Sequence, residues 1–259
     1  MFNYSEGQII AIVKSSTKKD KILYIEEEPE NEDIKYYDRI SLKSDEYFQP
    51  IGNKTLSRPV CWALLGANGS GKSYQIGKFL SNYYIKTFPK HNIYLFSEKA
   101  EDVELDKFKS IKRIKLDDAL LDDKITLEDL HTVSKTNDGV LCIFDDIDAL
   151  DRALKKYMYS LVSKIFNVGR SYKINIIVTN HAITNGPETK AILNECNMIT
   201  TFPKLGWNVQ MARFWEKYVG LSKKEITMLR KNKGRPSTYY RTLPNVVVQQ
   251  HDAFIIGSD

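Results

Sequence analysis

Eight residues constrain this chain more than any others: Gly66-Ala67-Asn68-Gly69-Ser70-Gly71-Lys72-Ser73. They follow the apolar run from Val60 to Leu65 and open a segment in which Ile76, Phe79, Leu80 and Tyr83 recur at the spacing of a helix buried on one face. The pattern G-x-x-x-x-G-K-[ST] lets the backbone curl until successive N–H groups converge on phosphate oxygens, and the helix that follows adds the positive end of its dipole. Strand, glycine loop and helix in that order read as a phosphate-binding loop, with Lys72 reaching the outer phosphates of a nucleotide and the Ser73 hydroxyl ligating Mg2+. The expected nucleotide-binding set is Gly66, Ala67, Asn68, Gly69, Ser70, Gly71, Lys72, Ser73 and Tyr74.

A second run, Val140 to Phe144, is continuously apolar, as in a parallel strand covered on both faces, and it delivers Asp145 and Asp146 at its end. In isolation an acidic pair after an apolar run is an ordinary helix cap. Some seventy residues downstream of a phosphate loop it reads as the acidic element of a nucleotide site: Asp145, with Ser73, for the metal, and Asp146 to orient or deprotonate the attacking water. The next helix carries Leu154, Met158, Leu161, Val162 and Ile165 on one face and stops at Gly169-Arg170. Ile174 to Val178 is a further buried strand running into Thr179, Asn180 and His181. Asn180 is thereby expected to sense the terminal phosphate or its water. His91 to Phe96 reads as a strand that puts Glu98 at another strand end, a reserve candidate for the base. A capping signal at Thr126 and Asp129 predicts a short helix, and residues 111–116 alternate weakly as a strand.

Alternating strands and helices with the loop after the first core strand predict an α/β, doubly wound, mainly parallel sheet with ligands at the carboxyl ends of its strands. Residues 1–56 are expected to form a small β-rich extension, with strands at 7–13 and 21–25, and residues 57–203 the core. Residues 204–259 are then basic helices and a closing hairpin of the same domain. At 259 residues with 42% hydrophobic side chains, the chain can bury a substantial core. No apolar run approaches the ~18 residues that cross a bilayer, and the start has no basic stretch followed by an apolar one, so a cytoplasmic protein without a membrane partner is expected. Cys61, Cys142 and Cys196 are too scattered for a zinc site or a disulfide framework.

The net charge of +5 is uneven. Residues 204–241 hold ten Lys and Arg against Glu216 and Glu225, leaving the remainder slightly acidic. Such a segment is either a solvated face or a surface for a polyanion. The last turn of the helix starting at Ser222 owes part of its charge to the helix dipole.

The set Gly66–Ser73, the separate Asp145-Asp146, Gly169-Arg170 just before the next strand and Asn180 at that strand's end resembles the FtsK–HerA superfamily of P-loop (ASCE/RecA-like) DNA-translocating ATPases. Over roughly residues 58–250 the chain looks most like the genome-packaging ATPases of poxviruses and other large DNA viruses. The resemblance implies ATP and Mg2+ as ligands, held at the subunit interfaces of a homo-oligomeric ring, a hexamer or pentamer, with double-stranded DNA in the channel. It also implies a capsid or portal partner and a place at a viral assembly site or in the virion. It makes Lys72, Asp146 and Asn180 catalytic and Arg170 an arginine finger acting on a neighbour's ATP; a helix-end cation paired with the dipole is the plainer role for Arg170. Relatives commonly carry Asp-Glu where this chain has Asp145-Asp146, which keeps Glu98 in view as the base. A nucleotide or metabolite kinase and a helicase-like ATPase are the alternative readings. No lid insertion is evident, and no N-K-x-D element suggests a GTPase.

Overall fold

The structure, a computed structural model, describes residues 1–51, 60–183, 186–231 and 234–258. The boundary expected at residue 56 and the cation Lys233 lie outside them. The chain divides into two compact units, Met1–Leu56 with Asn197–Asp259, and Ser57–Cys196.

The N-terminal segment supplies β1 (Phe2–Asn3), β2 (Gln8–Ser15), β3 (Lys21–Ile25), β4 (Arg39–Ser41) and β5 (Glu46–Pro50). Antiparallel β2 and β3 occupy the stretches their apolar pattern predicts, in a sheet of order β1-β3-β2-β5. Ile10, Ala11, Leu23, Ile25 and Phe48 are buried.

The middle unit holds the nucleotide motifs. Its strands are β6 (Cys61–Leu65), β7 (Asn92–Ser97), β8 (Ile111–Lys115), β9 (Val140–Phe144) and β10 (Ile174–Asn180), paired in parallel in the order β6-β10-β9-β7-β8. Every residue of β9 and β10 is buried, as the covered strands of an α/β sheet must be. Helix α1 (Lys72–Phe79) passes through a π turn, Leu80–Tyr84, into the short α2 (Ile85–Thr87). Ile76, Phe79, Leu80 and Tyr83 are buried along this run, with the Trp62 and Phe79 rings edge to face at 5.2 Å. After α3 (Ala119–Asp122) comes α4 (Leu127–Asn137), opened by a reciprocal Thr126–Asp129 capping box. Helix α5 (Arg152–Val168) buries the five predicted apolar residues, and α6 (Gly186–Glu195) completes the unit. Gly169 caps α5, and a Cβ there would lie 2.5 Å from the Ile165 carbonyl oxygen.

The C-terminal segment, from Asn197, belongs to the same unit as the N-terminal one. Strand β11 (Met198–Thr201), which lies within the expected core span of residues 57–203, pairs antiparallel with β12 (Ser237–Tyr240). β12 pairs in turn with β13 (Val246–Gln249), forming the predicted hairpin, and β14 (Asp252–Ile255) and β4 extend the antiparallel order. Helices α7 (Val209–Arg213) and α8 (Lys223–Lys231) lie between. Ser222 and Glu225 form a reciprocal capping box at the start of α8, and buried Glu225 also accepts the Gly257 N–H at 2.9 Å. Among the described residues, no helix is long and apolar enough to cross a membrane.

Candidate nucleotide site

β6 ends at Leu65, and the backbone turns at once: the Gly66 N–H donates to the Asn180 carbonyl at 3.0 Å, tying the loop to the end of β10. Gly69 and Gly71 take φ of 73° and 103°, conformations open to glycine and costly to other residues. Gly71 thus caps α1 and turns the chain directly into Lys72 and Ser73. Lys72 is buried, its Nζ 2.7 Å from the Gly66 carbonyl and 3.1 Å from Asp146 Oδ1. The Ser73 hydroxyl donates to Asp102 Oδ2 at 2.7 Å, while the buried Ser70 Oγ has no partner among the described residues. Tyr74 is exposed, with Lys78 Nζ 5.4 Å from the centre of its ring.

β9 delivers the two acids into a crowded polar centre. Asp145 accepts from Ser97 Oγ at 3.0 Å and lies 3.2 Å from Lys99 Nζ; Asp146, at φ 48°, takes Lys99 Nζ at 2.8 Å. Burial works to raise the Asp146 carboxyl, but the hydrogen bond from Lys99 and the charges of Lys72, Lys99 and His181 outweigh it and hold the group below the ordinary carboxylate range. Two carboxylates therefore face two ammonium groups, and the centre neutralises itself. The Thr179 hydroxyl stands between the acids, 3.0 Å from Asp145 Oδ1 and 3.1 Å from Asp146 Oδ1, and accepts the Asp146 N–H at 2.8 Å.

A pocket of about 280 Å³ opens over this centre, lined by residues 68–74 with Lys99, Asp102, Val103, Glu104 and Asp146. The donor set suits a magnesium nucleotide: hard oxygens from Ser73 and Asp145, a buried Ser70 hydroxyl unpartnered among the described residues, and the loop at the N-terminus of α1 for phosphate.

The structure thus brings Gly66–Tyr74, Asp145 and Asp146 together. It does not bring in the other three predicted residues. Asn180 is fully buried, and its Nδ2 donates to Tyr159 Oη on α5 at 3.3 Å, away from the acids, because consecutive residues of a strand face opposite sides. Glu98 is exposed and does not line the pocket; its neighbours Ser97 and Lys99 face the acids instead. Arg170 is exposed beyond the end of α5, where β10 begins, and does not line its own chain's pocket. With ~3.3 Å per strand residue, the five steps from Ile174 to Thr179 in β10 separate that end from Thr179 by roughly 17 Å. Sequence reasoning missed Lys99, Asp102, Thr179 and His181.

No family model matches the chain. The chain is 32% identical over 193 residues to an uncharacterized protein, V3, of Sputnik virophage, aligned over 73% of this chain and 74% of V3. Among solved structures, it resembles the genome-packaging NTPase B204 of Sulfolobus turreted icosahedral virus 2, in complex with ATP-γ-S. That match has a TM-score of 0.50 and 14% identity, over 76% of this chain and 98% of B204. It also resembles the cytoplasmic domain of the type VII secretion ATPase EccC of Thermomonospora curvata, with a TM-score of 0.52 and 15% identity over 83% of this chain and 28% of the other. Fold and phosphate loop together define an α/β protein with the fold of the P-loop NTPases. Within that class the chain belongs to the family that includes V3 of Sputnik virophage.

Proposed function

We propose that the chain is the ATPase of a viral genome-packaging motor, hydrolysing ATP to move double-stranded DNA. The observation that carries the reading is the pocket lined by Lys72, Ser73 and Asp146, with Asp145 joined to Asp146 through Lys99 and Thr179, at the strand ends of a parallel sheet. The likeness of the fold to a packaging NTPase from an icosahedral virus points the same way.

ATP lies with its phosphates over residues 66–73. A nucleotide brings about four negative charges, so Lys72 leaves Asp146 for the phosphates and releases the carboxylate to orient the attacking water. Ser73 and Asp145 would hold a magnesium ion, which when bound neutralises charge on the outer phosphates. Thr179 keeps the two acids in register through all this, since its hydroxyl touches both. Arg170, remote from its own pocket, supplies a cation to the neighbouring subunit's ATP in a hexameric or pentameric ring. Mixed rings test that role: subunits carrying Arg170→Ala and Lys72→Ala regain part of the activity together if Arg170 acts in trans, and none if it acts within its own chain. The cations of residues 204–241, exposed wherever they are described, give DNA a phosphate-binding surface without sequence preference. A capsid or portal protein anchors the ring at the assembly site.

The test is ATP hydrolysis by the purified chain with and without long double-stranded DNA at several salt concentrations, with particle mass followed by light scattering and Lys72→Ala as the blank. Stimulation that fades with salt, in a ring-sized particle, is the expected result. A monomer that turns over ATP indifferently to DNA would overturn the motor reading.

A further inference from the structure

We infer that His181, one residue past β10, is the side chain that reads the terminal phosphate of the nucleotide, the role that the sequence pattern assigns to Asn180. The inference rests on the nucleotide reading of the pocket given above.

Three polar residues leave the end of β10, and the structure gives each a different task. Thr179 is committed to the two acids. Asn180 faces Tyr159 on the other side of the strand. His181 sits where the strand has ended and the chain can turn toward the pocket. Its position is fixed by Asp148, whose carboxylate accepts the His181 backbone N–H at 2.9 and 3.1 Å and the Ala182 N–H at 3.1 Å. From this clamped turn the imidazole Nε2 comes within 2.7 Å of Asn68 Oδ1 in the phosphate loop and 3.3 Å of Asp146 Oδ2. One ring nitrogen thereby links the loop that holds phosphate to the acid that orients water. Its side chain is 30% exposed and does not itself line the pocket, but both residues it meets, Asn68 and Asp146, do.

Asp146, Asp148 and His181 lie close enough to suggest a metal site, with ligand atoms within 4.8 Å of one another. The ring orientation argues otherwise. Nε2 lies 3.3 Å from Asp146 Oδ2 and Nδ1 3.6 Å from Asp148 Oδ1, so the ring is held between the two acids, each nearest a different nitrogen. The arrangement is that of an oriented imidazole presenting a donor at Nε2. A triphosphate bound along residues 66–73 brings its terminal oxygens between Asn68, Lys72 and Asp146, where that donor can leave Asn68 for a charged acceptor. A diphosphate stops short, and the His181–Asn68 contact persists. His181 therefore distinguishes ATP from ADP.

The test is equilibrium binding of fluorescently labelled ATP-γ-S and ADP with Mg2+, which needs no turnover. The unaltered protein is expected to prefer the triphosphate. His181→Phe, which keeps the ring bulk without the donor, should lose about tenfold of that preference with ADP affinity unchanged. His181→Gln, which keeps a donor, should retain part of it, and Asn180→Ala should retain it fully. The assignment is overturned if His181→Phe keeps the preference, or if Asn180→Ala loses it to the same degree. If the unaltered protein binds neither nucleotide, the nucleotide reading of the pocket falls, and this assignment with it.

Discussion

The ends of β9 and β10 lie side by side in one parallel sheet, and both strands are buried along their whole length, yet they present their polar residues by different rules. At β9 the apolar run stops and both acids fall in the same centre, because Asp146 adopts φ 48° and folds its carboxylate back beside that of Asp145. At β10 the strand continues extended through Asn180, so Thr179 and Asn180 part to opposite faces. The site's composition thus follows from where each strand stops being a strand. A turn gathers neighbours into one centre; an extended end divides them.

The sharpest way to break this comparison is at β9. Asp146→Asn keeps the shape of the turn and most of its hydrogen bonds but removes the charge that faces Lys72, Lys99 and the water. If Asp146 acts on the water, turnover should fall by roughly a hundredfold to ten-thousandfold with nucleotide binding retained, read as steady-state hydrolysis against equilibrium binding. Unchanged turnover would return the base role to another carboxylate, and exposed Glu98 would have to move into the pocket to take it. At β10 the expected effect is smaller. Thr179→Val keeps the side-chain volume and removes the hydroxyl that touches both acids and accepts the Asp146 N–H. A hydrogen bond to a charged group contributes about 1.5–3 kcal/mol, so a loss of roughly ten- to a hundredfold in turnover is expected. An effect as small as that of a surface substitution would mean that the strand-end hydroxyl does not hold the acids in register.

The same contrast explains what could be read in advance. The phosphate loop, the acidic pair and the α5 stripe rest on local signals: fixed spacing, a run that ends in charge, a helical period. The structure has the corresponding elements where those signals lie. Thr179 was not legible because Ile174–Asn180 is buried on both faces, and without polar alternation no pattern says which of two adjacent polar residues faces the acids. Lys99 and Asp102 were not legible for a different reason. They sit on the irregular segment after β7, where no period applies, and only folding brings Lys99 to Asp146, 47 residues away. The antiparallel order at the C-terminus was half legible: β12 and β13 are neighbours in sequence, whereas β14 pairs with β4 across more than two hundred residues.

Lys99 offers the last and smallest way to sharpen the comparison, since it belongs to neither strand end and yet neutralises the β9 end. Burial works against its charge, but the hydrogen bond from Lys99 to Asp146 and the charges of Asp145 and Asp146 prevail and raise its pKa above the ordinary lysine value. The ammonium lies 3.2 Å from Asp145 Oδ2, so it competes with any divalent cation for that carboxylate. Lys99→Met keeps the length of the side chain and leaves Lys72 alone against two acids. A charge at 4–6 Å moves the balance of a neighbouring carboxylate by one to three pKa units, and a rise of about tenfold in affinity for Mn2+ is the corresponding expectation. Electron paramagnetic titration of Mn2+ without nucleotide reads that affinity directly, and at high salt the difference should shrink, because the Lys99 side chain is 47% exposed and its charge is partly screened. Equal affinities in the two proteins would mean that the ammonium does not hold the Asp145 subsite, and that the β9 acids receive metal as readily as if Thr179 and Lys72 were their only partners.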